Sequence, residues 1–265
     1  MSPSDLTLGE RLFVTLQRVL PQHALSALMY RLTRWTWRPF KNTLINGFVA
    51  QFRVDMGQAV ERDPTAYPSF NAFFTRALRP EARPLAPPPA LLCPADGAMS
   101  RCGTIRRGYL IQAKGHSFTA RDLLGGDAAT AARFEGGAFA TIYLSPRDYH
   151  RVHMPLGGTL TAMRHIPGRL FSVNAVTARA VPGLFARNER VVCLFETDVG
   201  PLALILVGAI FVGSMETVWA GQVTPPPRGA APKATPETPV RLERGRRWGV
   251  STWVRPSSCS CPGGP

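Results

Sequence analysis

Apolar and polar positions recur with the period of an α-helix over the first part of the chain. Leucine and valine appear every three or four residues, and Pro21 separates two such stretches. This pattern predicts helices over residues 7–20, 23–38 and about 41–60, followed by a shorter helix capped by Ser69 or Asn71. We therefore expect a helical region over residues 1–80.

The pattern changes beyond a proline-rich linker at residues 81–90. Helical periodicity fades, and short apolar runs alternate with glycine and proline, which is typical of strands joined by tight turns. Strands are predicted at Ala138–Leu144, Thr159–Ile166, Arg190–Glu196, Pro201–Gly208 and Ser214–Trp219, with a short helix over Ala120–Leu124 and a second loop over residues 224–238. The expected fold class is α+β: an amphipathic helical region, then a compact, mainly β catalytic domain over residues 91–245.

The charge of the chain narrows the choice of partner. The net charge is +14 at pH 7, which indicates an acidic partner. The arginines are spread among apolar residues and no basic block occurs, so an anionic membrane surface is favoured over nucleic acid. Trp35 and Trp37 stand among arginines at the end of the second helix, as is typical of a membrane interface. The alternative is a helix that packs on the protein's own core.

Cysteine spacing and hydropathy exclude several other classes. The five cysteines include one close pair, Cys259 and Cys261, with no further ligands at zinc spacing, so no metal site is expected. A reducing, cytoplasmic setting fits this usage, and residues 1–11 do not resemble a signal peptide. The longest apolar run, about residues 202–213, is shorter than the roughly 20 residues that a spanning helix needs.

Polar groups are unusually dense between Asp148 and Pro155, where His150 and His153 lie three residues apart. Taken alone, this stretch fits a basic surface loop and an acid/base centre about equally well. Asp96 follows an apolar run in an Asp-Gly turn, which fits a plain turn aspartate as well as a functional acid. Other polar residues in loops or turns are His116 and Ser172.

Five segments of the chain together resemble bacterial phosphatidylserine decarboxylases. They keep the family's order and spacing from about residue 64 to residue 226. The segments are Pro-Ala-Asp-Gly at 94–97, Tyr-His-Arg-Val-His-Met-Pro at 149–155, Pro-Gly-Arg-Leu-Phe-Ser-Val-Asn at 167–174, Phe-Ala-Arg-Asn-Glu-Arg at 185–190 and Gly-Ser-Met-Glu-Thr-Val-Trp at 213–219.

The resemblance implies a specific reaction. Members of this family convert phosphatidylserine to phosphatidylethanolamine and CO2. They are proenzymes that cut themselves before a serine in a Gly-Ser-Thr motif, and that serine becomes a pyruvoyl group. The pyruvoyl ketone forms a Schiff base with the substrate amine and accepts the electrons left by CO2. The resemblance further implies a peripheral enzyme on the cytoplasmic face of the inner membrane, with phosphatidylserine as its lipid partner and a homo-oligomer as one option.

Family positions also suggest roles for the candidate residues. Asp96 and His153 match the acid and the base that activate the processing serine. His153 could then protonate the carbanion, since a histidine suits proton transfer near neutral pH. His150 is assigned a supporting role, orienting groups or contacting phosphate, and His116 and Ser172 are further supporting or substrate-contacting candidates.

The end of the chain departs from the family pattern. No Gly-Ser-Thr occurs, and an ungapped match on Gly249 places the family's Gly-Ser at Val254-Arg255. A GC-rich coding of Ala-Glu-Met-Gly-Arg-Phe-Asn-Met-Gly-Ser-Thr-Val-Ile-Val-Leu-Val-Pro-Gly-Gly, read one base later, yields residues 246–263 of this chain one for one. We therefore interpret residues 246–265 as a frameshifted tail in which Cys259 and Cys261 carry no function, and we expect the polar, proline-rich tail to lower stability.

Ser251 is the one serine near the expected cleavage position that precedes a threonine. It follows Val250, whose branched side chain crowds the carbonyl that the serine must attack, whereas the family uses glycine there. The prediction is that this chain does not process itself. Two other function classes stay open: a non-catalytic phosphatidylserine-binding protein, and a serine hydrolase that uses Asp96 and His153 with Ser172 or Ser214, although no Gly-x-Ser-x-Gly motif occurs.

Overall fold

The computed structural model describes residues 6–113, 116–226, 236 and 238–252. The chain begins with helices and continues into a mainly β region, which confirms the expected α+β fold class. The helices are α1 (Leu8–Val19), α2 (Gln22–Arg34), α3 (Arg38–Phe52), α4 (Phe70–Phe74), α5 (Ala120–Leu123), α6 (Ala128–Ala132), α7 (Ala175–Ala180) and α8 (Leu184–Arg187), with single 3₁₀ turns at Met56–Gln58, Pro64–Ala66 and Pro80–Ala82. Across the described ranges, none of these helices is long and apolar enough to cross a membrane.

Twelve strands in the described part of the chain form two four-stranded sheets and two antiparallel two-stranded pairs. The strands are β1 (Ala98–Thr104), β2 (Tyr109–Ala113), β3 (His116–Thr119), β4 (Ala138–Tyr143), β5 (Arg151–His153), β6 (Gly158–Ile166), β7 (Arg190–Thr197), β8 (Gly200–Val207), β9 (Ser214–Thr217), β10 (Gly221–Thr224), β11 (Arg241–Leu242) and β12 (Arg247–Thr252). One sheet has the order β10-β9-β12-β5 and the other the order β11-β6-β7-β8, and both contribute to one apolar core. The remaining pairs are β1 with β4 and β2 with β3.

The strongest periodic signals correspond to observed elements. All five predicted strands are present, and the short helix at Ala120 is capped by Thr119. Ser69, not Asn71, caps α4, because its side chain accepts a hydrogen bond from the Ala72 amide. The third helix ends at Phe52, earlier than the predicted residue 60, because Arg53 adopts a left-handed conformation.

Seven of the strands in the described residues were not predicted, and their patterns explain why. β1 is exposed along its whole length, so its sequence lacks the alternation that marks a half-buried strand. β5 and β11 have three residues or fewer, and the short β3 and β10 lie beside turns. The missed strands are Ala98–Thr104, Tyr109–Ala113, His116–Thr119, Arg151–His153, Gly221–Thr224 and Arg247–Thr252, and the two-residue β11 was also missed.

The first two helices are attached to the β-rich region by buried polar contacts. Gln17 of α1 accepts a hydrogen bond from the Ser172 amide at 3.0 Å. Gln22 of α2 accepts one from the Leu170 amide at 2.9 Å, and Val14 belongs to an apolar cluster with residues of the β-rich region. The side of α1 that carries Val14 and Gln17 therefore faces the protein, which leaves its leucines pointing outward.

The tail that we interpret as frameshifted, residues 246–265, begins inside the core. β12 lies between β5 and β9, and Trp248 is buried in the main apolar cluster. The indole Nε1 of Trp248 has no acceptor in the described part of the chain, an arrangement that costs about 1–3 kcal/mol. Most of the predicted loop at 224–238, and residues 253–265 with Cys259 and Cys261, lie outside the described residues.

Candidate active site

Strand β5 places the two histidines on opposite sides. Val152 is buried in the core, so its neighbours Arg151 and His153 point the other way. His153 Nδ1 lies 2.8 Å from the Gly245 carbonyl oxygen, which can only accept, so Nδ1 carries the proton in the neutral ring. His153 Nε2 then accepts from the Tyr149 hydroxyl at 3.1 Å, and the two rings stack. This tautomer leaves Nε2 as the nitrogen that can act as a base.

Tyr149 is the residue in contact with His153 that was not singled out beforehand. Its burial raises the pKa of the phenol above its ordinary value, so the hydroxyl remains a hydrogen-bond donor. The residue belongs to the same Tyr-His-Arg-Val-His motif as His153, but tyrosine is equally common as a packing residue. Only the three-dimensional contact identifies it as part of the site.

Asp96 is held by Arg83. The Arg83 Nε donates to Asp96 Oδ2 at 2.6 Å, and a second guanidinium nitrogen forms an ion pair with the same oxygen. Within the described ranges no hydrogen bond joins Asp96 to His153, but the two are near neighbours, because the His153 amide donates to the Pro94 carbonyl oxygen at 2.8 Å. Gly97 is required after Asp96, since a Cβ there would collide with the Tyr143 carbonyl oxygen.

A cavity of about 820 Å³ separates the helical region from this part of the β-rich region. Its size is typical of small-molecule sites, which range over about 300–1,000 Å³. Its wall brings together Asp96, Tyr149 and several charged residues from both parts of the chain. These charged residues are Arg53, Asp55, Arg76, Arg83, Arg147 and Asp148.

His150 lies in the core next to this region. Its ring stacks on Phe74 with a centroid distance of 4.0 Å, and Nε2 lies 3.1 Å from the Ser145 carbonyl oxygen. Burial lowers the pKa of His150 from 6.5 to about 3, so the ring is neutral at physiological pH. A neutral, buried imidazole is suited to orienting the 145–150 segment, and it does not line the cavity where a phosphate would bind.

The lowered pKa of His150 predicts a loss of stability in mild acid. The unfolded chain binds the proton below pH 6.5 while the folded chain does not, so stability falls as the pH falls from that value toward 3. Lowering the pH from about 7 to about 5 should cost about 2 kcal/mol of unfolding free energy through this group. Urea denaturation of the native chain and of His150→Gln measures it. The variant should lose this part of the pH dependence, whereas His23→Gln, at an exposed histidine, should keep it.

Two other candidates lie away from the cavity. His116 is in β3, opposite Ala113 in the β2–β3 pair. Ser172 is next to α1, and its hydroxyl accepts a hydrogen bond from Asn174 Nδ2 at 3.1 Å. Neither residue lines the cavity that contains Asp96 and Tyr149. Their roles as supporting or substrate-contacting residues stay predictions, and the structure does not bring them to this site.

Ser251 lies inside the paired strand β12. Its amide donates to the His150 carbonyl oxygen at 3.2 Å, and the residue pairs with Met215 on the other side. Ser251 therefore lies opposite His150, which is three residues before His153. This spacing corresponds to a backbone separation of about 10 Å between Ser251 and His153. His153 instead points toward Gly245, before the start of β12. In this geometry His153 is not placed to act as the base for Ser251.

Comparison with known proteins matches two segments of the chain. Residues 70–252 match the family model described as phosphatidylserine decarboxylase, and residues 12–53 match a second model described as PSD. The chain belongs to the phosphatidylserine decarboxylase family. As an enzyme class, these are carboxy-lyases that act on phosphatidylserine, and their members named proenzymes use a pyruvoyl group.

Individual decarboxylases are similar over most of the chain. The phosphatidylserine decarboxylase proenzyme of Azotobacter vinelandii is 59% identical over 244 residues, covering 91% of this chain and 85% of its own length. The proenzyme of Bordetella pertussis is 58% identical over 244 residues, with coverages of 91% and 82%. That of Pseudomonas putida strain W619 is 58% identical over 243 residues, with coverages of 90% and 85%.

A pyruvoyl group does not fit the residues that this decarboxylase chain supplies for it. The group requires a serine that can be cut from the residue before it. Ser251 has both backbone neighbours held in a sheet, and the family's serine position holds Arg255, which lies outside the described residues. Within the described ranges, no three His, Cys, Asp or Glu side chains come together as metal ligands either. The polar cavity is present, but the sequence of the tail contains no Gly-Ser-Thr motif.

Proposed function

We propose that this chain is a phosphatidylserine decarboxylase proenzyme with an intact substrate cavity and a tail that cannot be processed. The observation that carries the proposal is the geometry of His153, whose Nδ1 is bonded to a carbonyl and whose Nε2 faces the Tyr149 hydroxyl beside the cavity. A histidine held in one tautomer by a carbonyl is the arrangement that general-base catalysis needs. Phosphatidylserine is the substrate class of the family, and we propose that it binds in this cavity.

The contacts of each polar residue support a proposed role. His153 Nε2 takes a proton once the Tyr149 hydroxyl turns away, and the Gly245 carbonyl then stabilises the imidazolium through Nδ1. Asp96 is held in an ion pair by Arg83 next to the segment that carries His153. His153 and Asp96 thus form the candidate processing relay, acting side by side within the site and without a direct hydrogen bond.

The native chain is expected to stay uncut. On a denaturing gel it should run as one band near 28.9 kDa, because neither Ser251 nor Arg255 can act as the processing residue. Intact mass spectrometry after prolonged incubation measures self-cleavage, and release of labelled CO2 from phosphatidylserine measures decarboxylation. A small C-terminal fragment or released CO2 would contradict the proposed defect. Binding of phosphatidylserine without CO2 release is expected both of the uncut proenzyme and of the non-catalytic alternative, and only the repaired tail separates the two.

Helix α1 and the end of α2 are proposed to contact the anionic membrane surface that holds the substrate. The apolar side of α1 faces solvent, with Leu8 85%, Leu12 69% and Val19 73% exposed. Trp35 and Trp37 are also exposed, next to arginines that suit lipid phosphate. A solvent-facing leucine stripe beside cationic groups fits an interfacial helix, and the substrate of the family is itself a membrane lipid. The location we propose is peripheral, at the cytoplasmic face of the inner membrane.

Charges introduced on this stripe should release the protein from vesicles. In the double variant Leu8→Glu with Leu12→Glu, binding to vesicles of phosphatidylserine and phosphatidylcholine should fall at least about a hundredfold, because each leucine contributes about 1.5–3 kcal/mol when buried. Co-sedimentation measures the change, and thermal unfolding should shift little because both positions are exposed. The matched control is Leu91→Glu, an exposed leucine outside the helices. Equal losses in both proteins would speak for a general charge effect and against an interfacial α1.

A further inference from the structure

The wall of the cavity contains a buried arginine with spare donors. Arg76 is 4% exposed and lines the cavity, just after the C-terminal end of α4. Its Nη2 donates to the Arg147 carbonyl oxygen at 3.0 Å. Its Nε and Nη1 have no acceptor in the part of the chain that the structure describes. Ser145, also in the cavity wall, has a buried hydroxyl without a partner there.

This arrangement is costly for a folded protein. Burial lowers the pKa of the Arg76 guanidinium, but the group stays charged at physiological pH, because arginine is effectively always protonated. A buried charge with unfilled donors lowers stability unless it is paired. The Phe73 ring, 5.5 Å from the Arg76 Cζ, compensates for part of this through a cation–π contact. The Arg76 Nε and Nη1 donors would be satisfied by a bound oxyanion.

The acidic residues of the cavity wall are already engaged elsewhere. Asp96 is paired with Arg83. Asp55 accepts hydrogen bonds from the Gly57 amide and from Gln58, at 2.8 Å and 2.7 Å. Asp148 accepts from the Ser145 amide at 2.6 Å. None of the three accepts a hydrogen bond from Arg76 within the described ranges, so its free donors have no internal anion.

We propose that Arg76, together with the Ser145 hydroxyl, binds an oxyanion of the substrate headgroup in this cavity. The inference rests on the proposed function, since it places the phosphoserine headgroup where Asp96 and Tyr149 line the same space. Phosphatidylserine offers two oxyanions, its phosphate and its carboxylate, and a guanidinium binds either through charge-assisted hydrogen bonds. Arg76 is then a specificity-determining residue that selects anionic headgroups and orients them toward the Tyr149–His153 pair.

The test uses the native, uncut full chain and soluble headgroups. Isothermal titration calorimetry measures binding of glycerophosphoserine, glycerophosphoethanolamine and free serine. The variants are Arg76→Gln, which removes the buried charge, and Ser145→Ala, which removes only an unpartnered hydroxyl and leaves the backbone bonds of Ser145 in place. Arg79→Gln is the matched control, because it removes the same charge three residues away at an exposed position outside the cavity wall.

We expect Arg76→Gln to weaken glycerophosphoserine binding about tenfold or more, Ser145→Ala about threefold, and Arg79→Gln less than twofold. An equal loss with glycerophosphoethanolamine assigns the phosphate to Arg76, and a loss confined to ligands with a carboxylate assigns the carboxylate. Native-like affinity in both Arg76→Gln and Ser145→Ala would overturn the subsite, as would a native chain that binds none of the three ligands. If Arg76→Gln does not fold, the Ser145→Ala result decides alone.

These outcomes are independent of whether the family reaction can be restored. Headgroup binding is measured in the chain as it stands, without any pyruvoyl group. If a chain with a restored Gly-Ser-Thr tail shows no decarboxylation, that result would count against the proposed function. The headgroup-binding measurement would still test the Arg76 subsite. Native-like headgroup binding in Arg76→Gln and Ser145→Ala, together with decarboxylation by the repaired enzyme, would count against the Arg76 subsite only.

Discussion

Replacing residues 246–263 with the in-frame sequence is expected to convert this chain into a self-cleaving decarboxylase. The replacement, Ala-Glu-Met-Gly-Arg-Phe-Asn-Met-Gly-Ser-Thr-Val-Ile-Val-Leu-Val-Pro-Gly, introduces Gly-Ser at positions 254–255 in place of Val254-Arg255. Glycine opens the approach to the scissile carbonyl, and serine supplies both the nucleophile and the precursor of the pyruvoyl group. The repaired protein should split into a large and a small fragment and release CO2 from phosphatidylserine.

The repair also tests the interpretation of the tail. In-frame methionine replaces Trp248, whose buried indole N–H lacks an acceptor in the described ranges, so the uncut form of the repaired chain should be more stable than the native one. A repaired tail with alanine in place of the new serine is the matched control, and it should fold without cutting itself. If the repaired chain stays uncut although it is as stable as the alanine control, then the missing serine is not the defect. Sequencing of the gene across codon 246 gives an independent answer.

In the repaired protein, His153→Gln should block self-cleavage and Asp96→Asn should slow it. Removing one member of such a catalytic set lowers rates roughly ten-thousand-fold, so no fragment should appear in His153→Gln over days. Asp96→Asn should slow cleavage less, because Asp96 acts on His153 by charge and without a hydrogen bond. The time course of fragment appearance on a denaturing gel measures both rates.

Two further variants of the repaired protein test the Tyr149–His153 hydrogen bond and the choice of His153 as the base. Tyr149→Phe should still cut itself, because it removes the hydroxyl that occupies His153 Nε2 and leaves the base free. His116→Gln should cleave at the rate of the repaired parent, since His116 does not line the cavity. A block in His116→Gln, together with normal cutting in His153→Gln, would reverse the assignment of the base.

The N-terminal helices show how far hydrophobic patterning reaches. Their periodicity predicted α1 and α2 within a few residues, because an amphipathic helix records its exposed and buried sides in its sequence. The pattern did not indicate which side faces the protein. In the structure the side with Gln17 is buried against Ser172, and the leucine stripe is exposed. That choice depends on hydrogen bonds to loops about 150 residues away in the sequence.

At the site, the sequence by itself determined the family and the reaction class, and its motifs are the basis for proposing Asp96 and His153 as the processing pair and for predicting an uncut tail. These follow from motif identity and order, which are properties of the chain alone. Only the tertiary structure decided that Arg83 holds Asp96, that Tyr149 contacts His153 and that Arg76 is buried with unfilled donors. Hydrogen bonds and burial depend on residues far apart in sequence, and no local pattern records which distant group a side chain will meet once the core has packed.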